Sequence, residues 1–170
     1  MKLTDTMREE LTQLGGGAHA LAIQILGNPD DARDAVQDAF ASVLGRPQAY
    51  DARKGPLRAW FLRLVRNRCI DLLRKRRTDT VSHEETADTA AGPETAAEIS
   101  QRDAAIRAAL HSLDAQQRQI VVLRDYLDLT YAEIAAVIDI PAGTVMSRLH
   151  RARVALGKAY RERYDEPFTG

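Results

Sequence analysis

The sequence predicts an all-α protein of two small helical domains joined by a flexible acidic linker, the second domain containing a helix-turn-helix. Three observations carry this. LTYAEIAAVIDIPAGTVMSRLHRARVAL, residues 129–156, reads as a helix, a short turn and a second helix. PLRAWFLRLVRNRCIDLLRKRR, residues 56–77, reads as one basic, amphipathic helix. Between them TDTVSHEETADTAAGPETAAE, residues 78–98, is rich in Thr, Ala and acids and interrupted by Gly92-Pro93. It holds too few apolar groups to be ordered by burial. The predicted boundaries are therefore 1–77, 78–98 and 99–165.

From the amino terminus, residues 4–14 form a short helix with Leu11 and Leu14 as its apolar residues. Gly15, Gly16 and Gly17 follow, each costing a helix about 1 kcal/mol relative to Ala, and predict a flexible joint between two helices. They are not a phosphate-binding loop, because no Gly-Lys-Ser or Gly-Lys-Thr follows and no strand precedes. Residues 18–26 form the next helix, ended by Gly27-Asn28. Pro29, Asp30 and Asp31 open another, where the helix dipole favours acids. Ala35, Val36, Ala39, Phe40 and Val43 form its buried side, with Asp34, Gln37 and Asp38 elsewhere on its surface. That polar face is a solvated surface or a protein-docking surface. His19 has no His or Cys partner at ligand spacing, so it reads as a packed or boundary residue.

Arg46-Pro47 ends this helix, and residues 48–56 are a loop. In 56–77, Leu57, Trp60, Phe61, Leu64, Val65, Ile70, Leu72 and Leu73 supply an apolar side. Aromatic rings beside arginines are what single-strand binding uses, planes for stacking and cations for phosphate. For Trp60 a place in the core is the simpler reading. Beyond the linker, Ile106, Leu110 and Leu113 mark one helix and Ile120, Val121, Leu123 and Tyr126 the next, with Asp114 as its N-cap. Thr130 and Glu133 form a capping box that starts the first helix of the helix-turn-helix near Tyr131. Ile134, Ala135, Val137 and Ile138 give that helix an apolar side. Pro141 has its fixed φ where a first helical turn tolerates it. Val145 and Leu149 face inward from the second helix. The exposed side of the second helix carries hydroxyl, imidazole and guanidinium groups that reach base edges and phosphates in a major groove. A helical hairpin with a solvated basic face is the plainer alternative.

Charge is distributed unevenly although the formal net charge is zero. Residues 53–77 hold ten basic and one acidic residue, 78–99 none basic and six acidic, and 144–163 six basic and one acidic. Two basic blocks divided by an acidic stretch suggest two contacts with one polyanion. The lone cysteine, Cys69, excludes an internal disulfide and a cysteine-rich metal site. It reads as a small core residue; a redox sensor is the sharper alternative. No signal peptide and no apolar run of ~18 residues is visible, so no membrane insertion and a cytoplasmic location are expected. No nucleophile–base constellation or metal-ligand cluster points to an enzyme, a metal or a cofactor.

DIPAGTVMSRLHRARVAL resembles the promoter-reading helix-turn-helix of the bacterial extracytoplasmic-function (ECF) sigma factors. Gly143, Thr144, Val145, Ser147, Arg148, Leu149, His150, Arg151, Ala152 and Arg153 match the pattern. Met146 stands where the family more often has Lys or Arg; it reads a thymine methyl or is a tolerated change. LGNPDDARDAVQDAF resembles the family's LGN-x-x-DAED-L-VQ-x-x-F segment. The basic run resembles its Trp, then R-N-x-x-I-D-x-L-R segment, matched by Trp60, Arg66, Asn67, Ile70, Asp71, Leu73 and Arg74. HSLDAQQRQIVVLRDYLDLTYAEIA resembles a further family stretch, with Ala115 in place of the usual Pro.

The resemblance implies a dissociable specificity subunit of RNA polymerase. Its implied partners are core polymerase, through the clamp of the largest subunit and the flap of the second, promoter DNA, and an anti-sigma factor. It implies that Asp34, Gln37 and Asp38 grip the clamp. It implies that Trp60, Arg63, Arg66, Asn67, Arg74, Lys75, Arg76 and Arg77 hold the −10 element, with Asn67 first for base contact. It implies that Thr144, Met146, Ser147, Arg148, His150, Arg151 and Arg153 read the −35 element. The competing readings are a conventional helix-turn-helix repressor or activator, and an adaptor that mimics a sigma factor and sequesters a partner.

Overall fold

The computed structural model describes residues 3–80 and 100–164. Helix α1 spans Asp5–Leu26, α2 Pro29–Gly45 and α3 Leu57–Thr80. The second set is α4 Gln101–Ser112, α5 Ala115–Val121, α6 Tyr131–Ile138 and α7 Ala142–Tyr164. Helix α5 runs on into a single π-helical turn, Val122–Tyr126. The acidic segment and the EPFTG tail lie outside the described residues, apart from Thr78, Asp79 and Thr80, which extend α3.

The expected joint at Gly15–Gly17 is absent: α1 is unbroken through all three glycines. Both ends of α1 are fixed locally. The Thr4 hydroxyl accepts from the Met7 N–H at 3.3 Å, and Gly27 closes the helix at φ 70°. Packing overrides the low propensity. A Cβ on Gly17 would lie 2.6 Å from Leu127 Cδ2, and one on Gly15 would touch the Phe40 ring at 3.8 Å. Gly17 lets the Leu127 side chain lie against the α1 backbone, whereas at Gly15 a Cβ would make only an ordinary contact. Gly16 is exposed with nothing near its missing Cβ. Gly16→Ala should therefore stabilise the chain by about 0.5–1 kcal/mol, raising Tm by roughly 1–4 °C. An unchanged or lower Tm in thermal denaturation would count against an unstrained helix there.

Asn28 starts α2, its side-chain oxygen accepting from the Asp30 and Asp31 N–H groups at 2.9 and 3.1 Å. The predicted inner face of α2 is buried at Ala35, Val36, Ala39 and Val43, with Phe40 partly so. The Phe40 and Phe61 rings meet at 4.7 Å. In the carboxy-terminal lobe the capping box forms as expected. Glu133 N–H donates to Thr130 Oγ1 at 3.2 Å, and Thr130 N–H donates to Glu133 Oε2 at 2.7 Å. Asp139, at φ 59°, ends α6 in the left-handed region, and Val137, Val145 and Leu149 fill the angle between α6 and α7.

The two helical units pack together. Helix α3 lies against α6, and α1 against α5. One continuous apolar core runs from Leu21, Phe61 and Val65 to Ile120, Leu123 and Ile134. At this seam the Arg58 guanidinium donates Nε to Glu133 Oε1 at 2.5 Å and Nη2 to Oε2 at 2.6 Å. The two residues are 75 apart in sequence, and this fork clasps the lobes.

Candidate nucleic-acid interface

Helix α3 is positioned by its apolar side. Leu57, Phe61, Leu62, Val65 and Cys69 are buried, which turns Arg63, Asn67, Arg74, Lys75 and Arg77 outward. Trp60 is half-buried, its ring 5.4 Å from that of Tyr50. Tyr50 is held in turn by donating its hydroxyl to Gly55 O at 3.0 Å. Trp60 lines a groove of about 460 Å³ that Arg63 and Asn67 also line. Ala132, Glu133 and Ala136 of α6 form the opposite wall. Structure therefore brings Trp60, Arg63 and Asn67 together. Arg63 approaches Asp139 at 3.8 Å.

Arg66 is placed differently. It points into the seam and donates Nε to Gln119 Oε1 at 3.0 Å. Burial holds its guanidinium below the usual value, with Asp139 opposing the shift and Arg63 adding to it. Arg76 is ion-paired with Asp31 of α2. Arg74, Lys75 and Arg77 remain on the exposed end of α3.

On α7, Val145, Leu149 and Ala152 are buried against α5 and α6. The remaining positions then point outward in helical register. Met146, Ser147, His150 and Arg151 are exposed, and Thr144 and Arg148 half-buried. Met146 is 62% exposed, too open for a core role. Arg153 faces elsewhere: it forks onto the Asp125 carboxylate, Nε at 3.1 Å from Oδ2. That pair holds α7 to the π-helical turn, a link between segments that spacing arguments do not reach. Asp34, Gln37 and Asp38 are all exposed on the outer side of α2.

Cys69 lies in the core at 0% exposure, where burial pushes its thiol up to about 12. The thiolate is the reactive form. Cys69 should therefore resist a thiol reagent at pH 8 in the native chain and react fully in denaturant. Fast labelling of the native chain would contradict this. His19 is half-buried, with its Nε2 3.4 Å from the Pro29 carbonyl oxygen, as a boundary residue is. Among the described residues no group of His, Cys, Asp and Glu is arranged to hold a metal. No helix among them is long and apolar enough to cross a membrane.

A helical lobe with an aromatic, basic groove, packed on a lobe with a capped helix-turn-helix, defines a DNA-reading protein of two modules. Comparison with known proteins makes this specific. Residues 11–78 match the family model described as Sigma-70 region 2, and residues 103–156 the model described as Sigma-70, region 4. The ECF RNA polymerase sigma factor SigW of Bacillus subtilis is 30% identical over 156 residues, covering 85% of this chain and 83% of SigW. EcfG of Rhodopseudomonas palustris is 30% identical over 160 residues, covering 92% and 86%. SigE of Mycolicibacterium smegmatis is 33% identical over 153 residues, but this chain spans only 59% of its length.

Two solved structures share the fold. Sigma factor RpoE in complex with the anti-sigma factor NepR from Bartonella quintana superposes with TM-score 0.81 at 25% identity, over 93% of this chain and 98% of that one. CnrH in complex with the cytosolic domain of CnrY gives TM-score 0.62 at 25% identity, over 88% and 84%. The chain belongs to the ECF RNA polymerase sigma factors. Promoter-specific transcription initiation is accordingly its function, in a family that acts by positioning polymerase rather than by covalent chemistry.

Proposed function

We propose that the chain, bound to core polymerase, holds unpaired −10 bases in the Trp60–Arg63–Asn67 groove of α3 and reads −35 duplex with α7. Asp34, Gln37 and Asp38 on α2 dock the polymerase clamp, and the second lobe meets the flap. The functional units are 1–77 and 99–165, with 78–98 as the connection between them. The observation that carries this reading is the grouping of Trp60, Arg63 and Asn67 in one groove. A ring held by Tyr50 offers a stacking plane, and the neighbouring guanidinium and carboxamide supply phosphate and base-edge contacts. Arg74, Lys75 and Arg77 extend the positive track along α3, beside Arg76 in its ion pair with Asp31. On α7, Thr144, Met146, Ser147, Arg148, His150 and Arg151 provide the groove-facing set, while Arg153 steadies the helix through Asp125.

The groove's far wall belongs to α6, so a DNA strand enters only when the lobes separate. Of the two structural relatives, RpoE was solved with the anti-sigma factor NepR and CnrH with the cytosolic domain of CnrY. An anti-sigma factor accordingly holds this chain in the closed arrangement, and core polymerase opens it. The chain works in the cytoplasm, beside the polymerase.

A mobility-shift comparison separates this from a conventional regulator. The free chain should leave promoter duplex unshifted at concentrations where chain plus core polymerase shifts it fully. Tight, sequence-specific binding by the free chain would favour a repressor or activator instead.

A further inference from the structure

A second cleft lies at the seam, distinct from the Trp60 groove. It encloses about 410 Å³ and is lined by Arg66 from α3, Arg148 and Arg151 from α7, and the polar start of α5. None of the three guanidiniums has a carboxylate within ion-pair distance among the described residues. Other arginines of the chain do: Arg58, Arg63, Arg76, Arg124 and Arg153. The one carboxylate in the cleft, Asp114, accepts the Gln117 N–H at 2.8 Å as the cap of α5. Three cations against one anion leave a local excess of positive charge in a concave space. Such charge calls for a counter-anion. Duplex DNA is too large for the space, and in the closed arrangement Arg66 faces the other lobe.

We propose that this cleft binds a compact polyanion of the di- or triphosphate class and that the bound anion holds the lobes closed. Arginine forks suit phosphate oxygens. The anion bridges α3 and α7, so it binds the closed chain better than the open one and shifts the population towards it. Its regulatory consequence rests on the sigma reading: Arg148 and Arg151 are then withdrawn from the promoter. Its binding does not. The carboxamides of Gln116 and Gln117, which also line the cleft, give a nucleotide base edge a place to pair.

Calorimetric titration of the full chain with inorganic tripolyphosphate, at fixed ionic strength and without magnesium, tests this directly. Saturable binding at one site is expected. Its Kd should rise about tenfold or more in R66Q and in R148Q/R151Q, the scale of one lost charge-assisted bond. It should not change in R161Q, at an exposed α7 position outside the cleft. The double variant, at half-buried Arg148 and exposed Arg151, neither of them in an ion pair with a described carboxylate, keeps the test valid if R66Q folds poorly. ATP in place of tripolyphosphate distinguishes sources. Equal affinity means that the phosphate chain alone is bound, and tighter ATP binding means that the base is read too. No saturable binding, equal losses in R161Q, or undiminished affinity in a folded R66Q would each overturn the cleft site.

Discussion

Replacing Glu133 by Ala is expected to destabilise the chain by about 2–3 kcal/mol. The estimate lies below the ~3–5 kcal/mol of breaking a fully buried pair, because water screens the more open partner. Glu133 is 10% exposed and Arg58 36%. Two contributions add. The carboxylate accepts the Arg58 fork that joins the lobes, and it closes the capping box on Thr130. E133Q keeps the shape and should lose less. R58A/E133A should cost less than the sum of its single variants, because both remove one interaction. Chemical denaturation of the four variants reads this out; additive losses would mean that the fork contributes nothing.

The same pair sets a pH dependence. Burial raises the Glu133 carboxyl, but the Arg58 fork and the Thr130 hydrogen bonds outweigh it, so its pKa lies below the ordinary 4.5. A carboxylate depressed on folding stabilises the fold above its unfolded pKa, and that stability is lost as pH falls through the folded value. Acid should therefore weaken the wild type progressively below about pH 4.5, and E133Q should show a flatter acid limb.

Arg148→Ala and Arg151→Ala form the second case. Each should weaken promoter binding by the polymerase-bound chain by about 1–3 kcal/mol where the contact is a bidentate base pair. Where the contact is to phosphate, the salt slope should instead fall by about one. Neither side chain holds the fold through an ion pair among the described residues, so thermal stability should be nearly unchanged. Arg153→Ala should do the reverse, because its fork is already committed to Asp125. It should lower stability more than it lowers affinity. Filter binding across a salt series, beside thermal melts, separates the two patterns. Equal affinity losses at Arg148 and Arg153 would contradict the division.

That division marks where sequence reading stops. The helix-turn-helix was legible because its signals are local: Thr130 with Glu133, then Pro141, then Val145 and Leu149 one turn apart. The inner face of α2 was legible for the same reason, its apolar spacing being unambiguous. The run Gly15–Gly17 misleads because helix propensity is a weak, additive term. What decides there is the side chain of Leu127, 110 residues away in sequence, resting on Gly17. The Arg58–Glu133 clasp was hidden twice over. Glu133 already had a sufficient local role in the capping box, and Arg58 was one of ten basic residues with nothing to single it out. Charge counting locates the basic blocks. It does not tell Arg153, paired with Asp125, from Arg148 and Arg151, which are not paired with any described carboxylate.

The most direct measurement is transcription in vitro from a library of promoter fragments, with purified core polymerase and either wild-type chain or N67A. Wild type should start transcription from a discrete set of fragments sharing two spaced elements. N67A should initiate more weakly while keeping core binding, with selectivity relaxed at the downstream element alone. No initiation above core polymerase by the wild-type chain, or unchanged selectivity in N67A, would contradict the assignment of α3 as the strand-holding helix of a sigma factor.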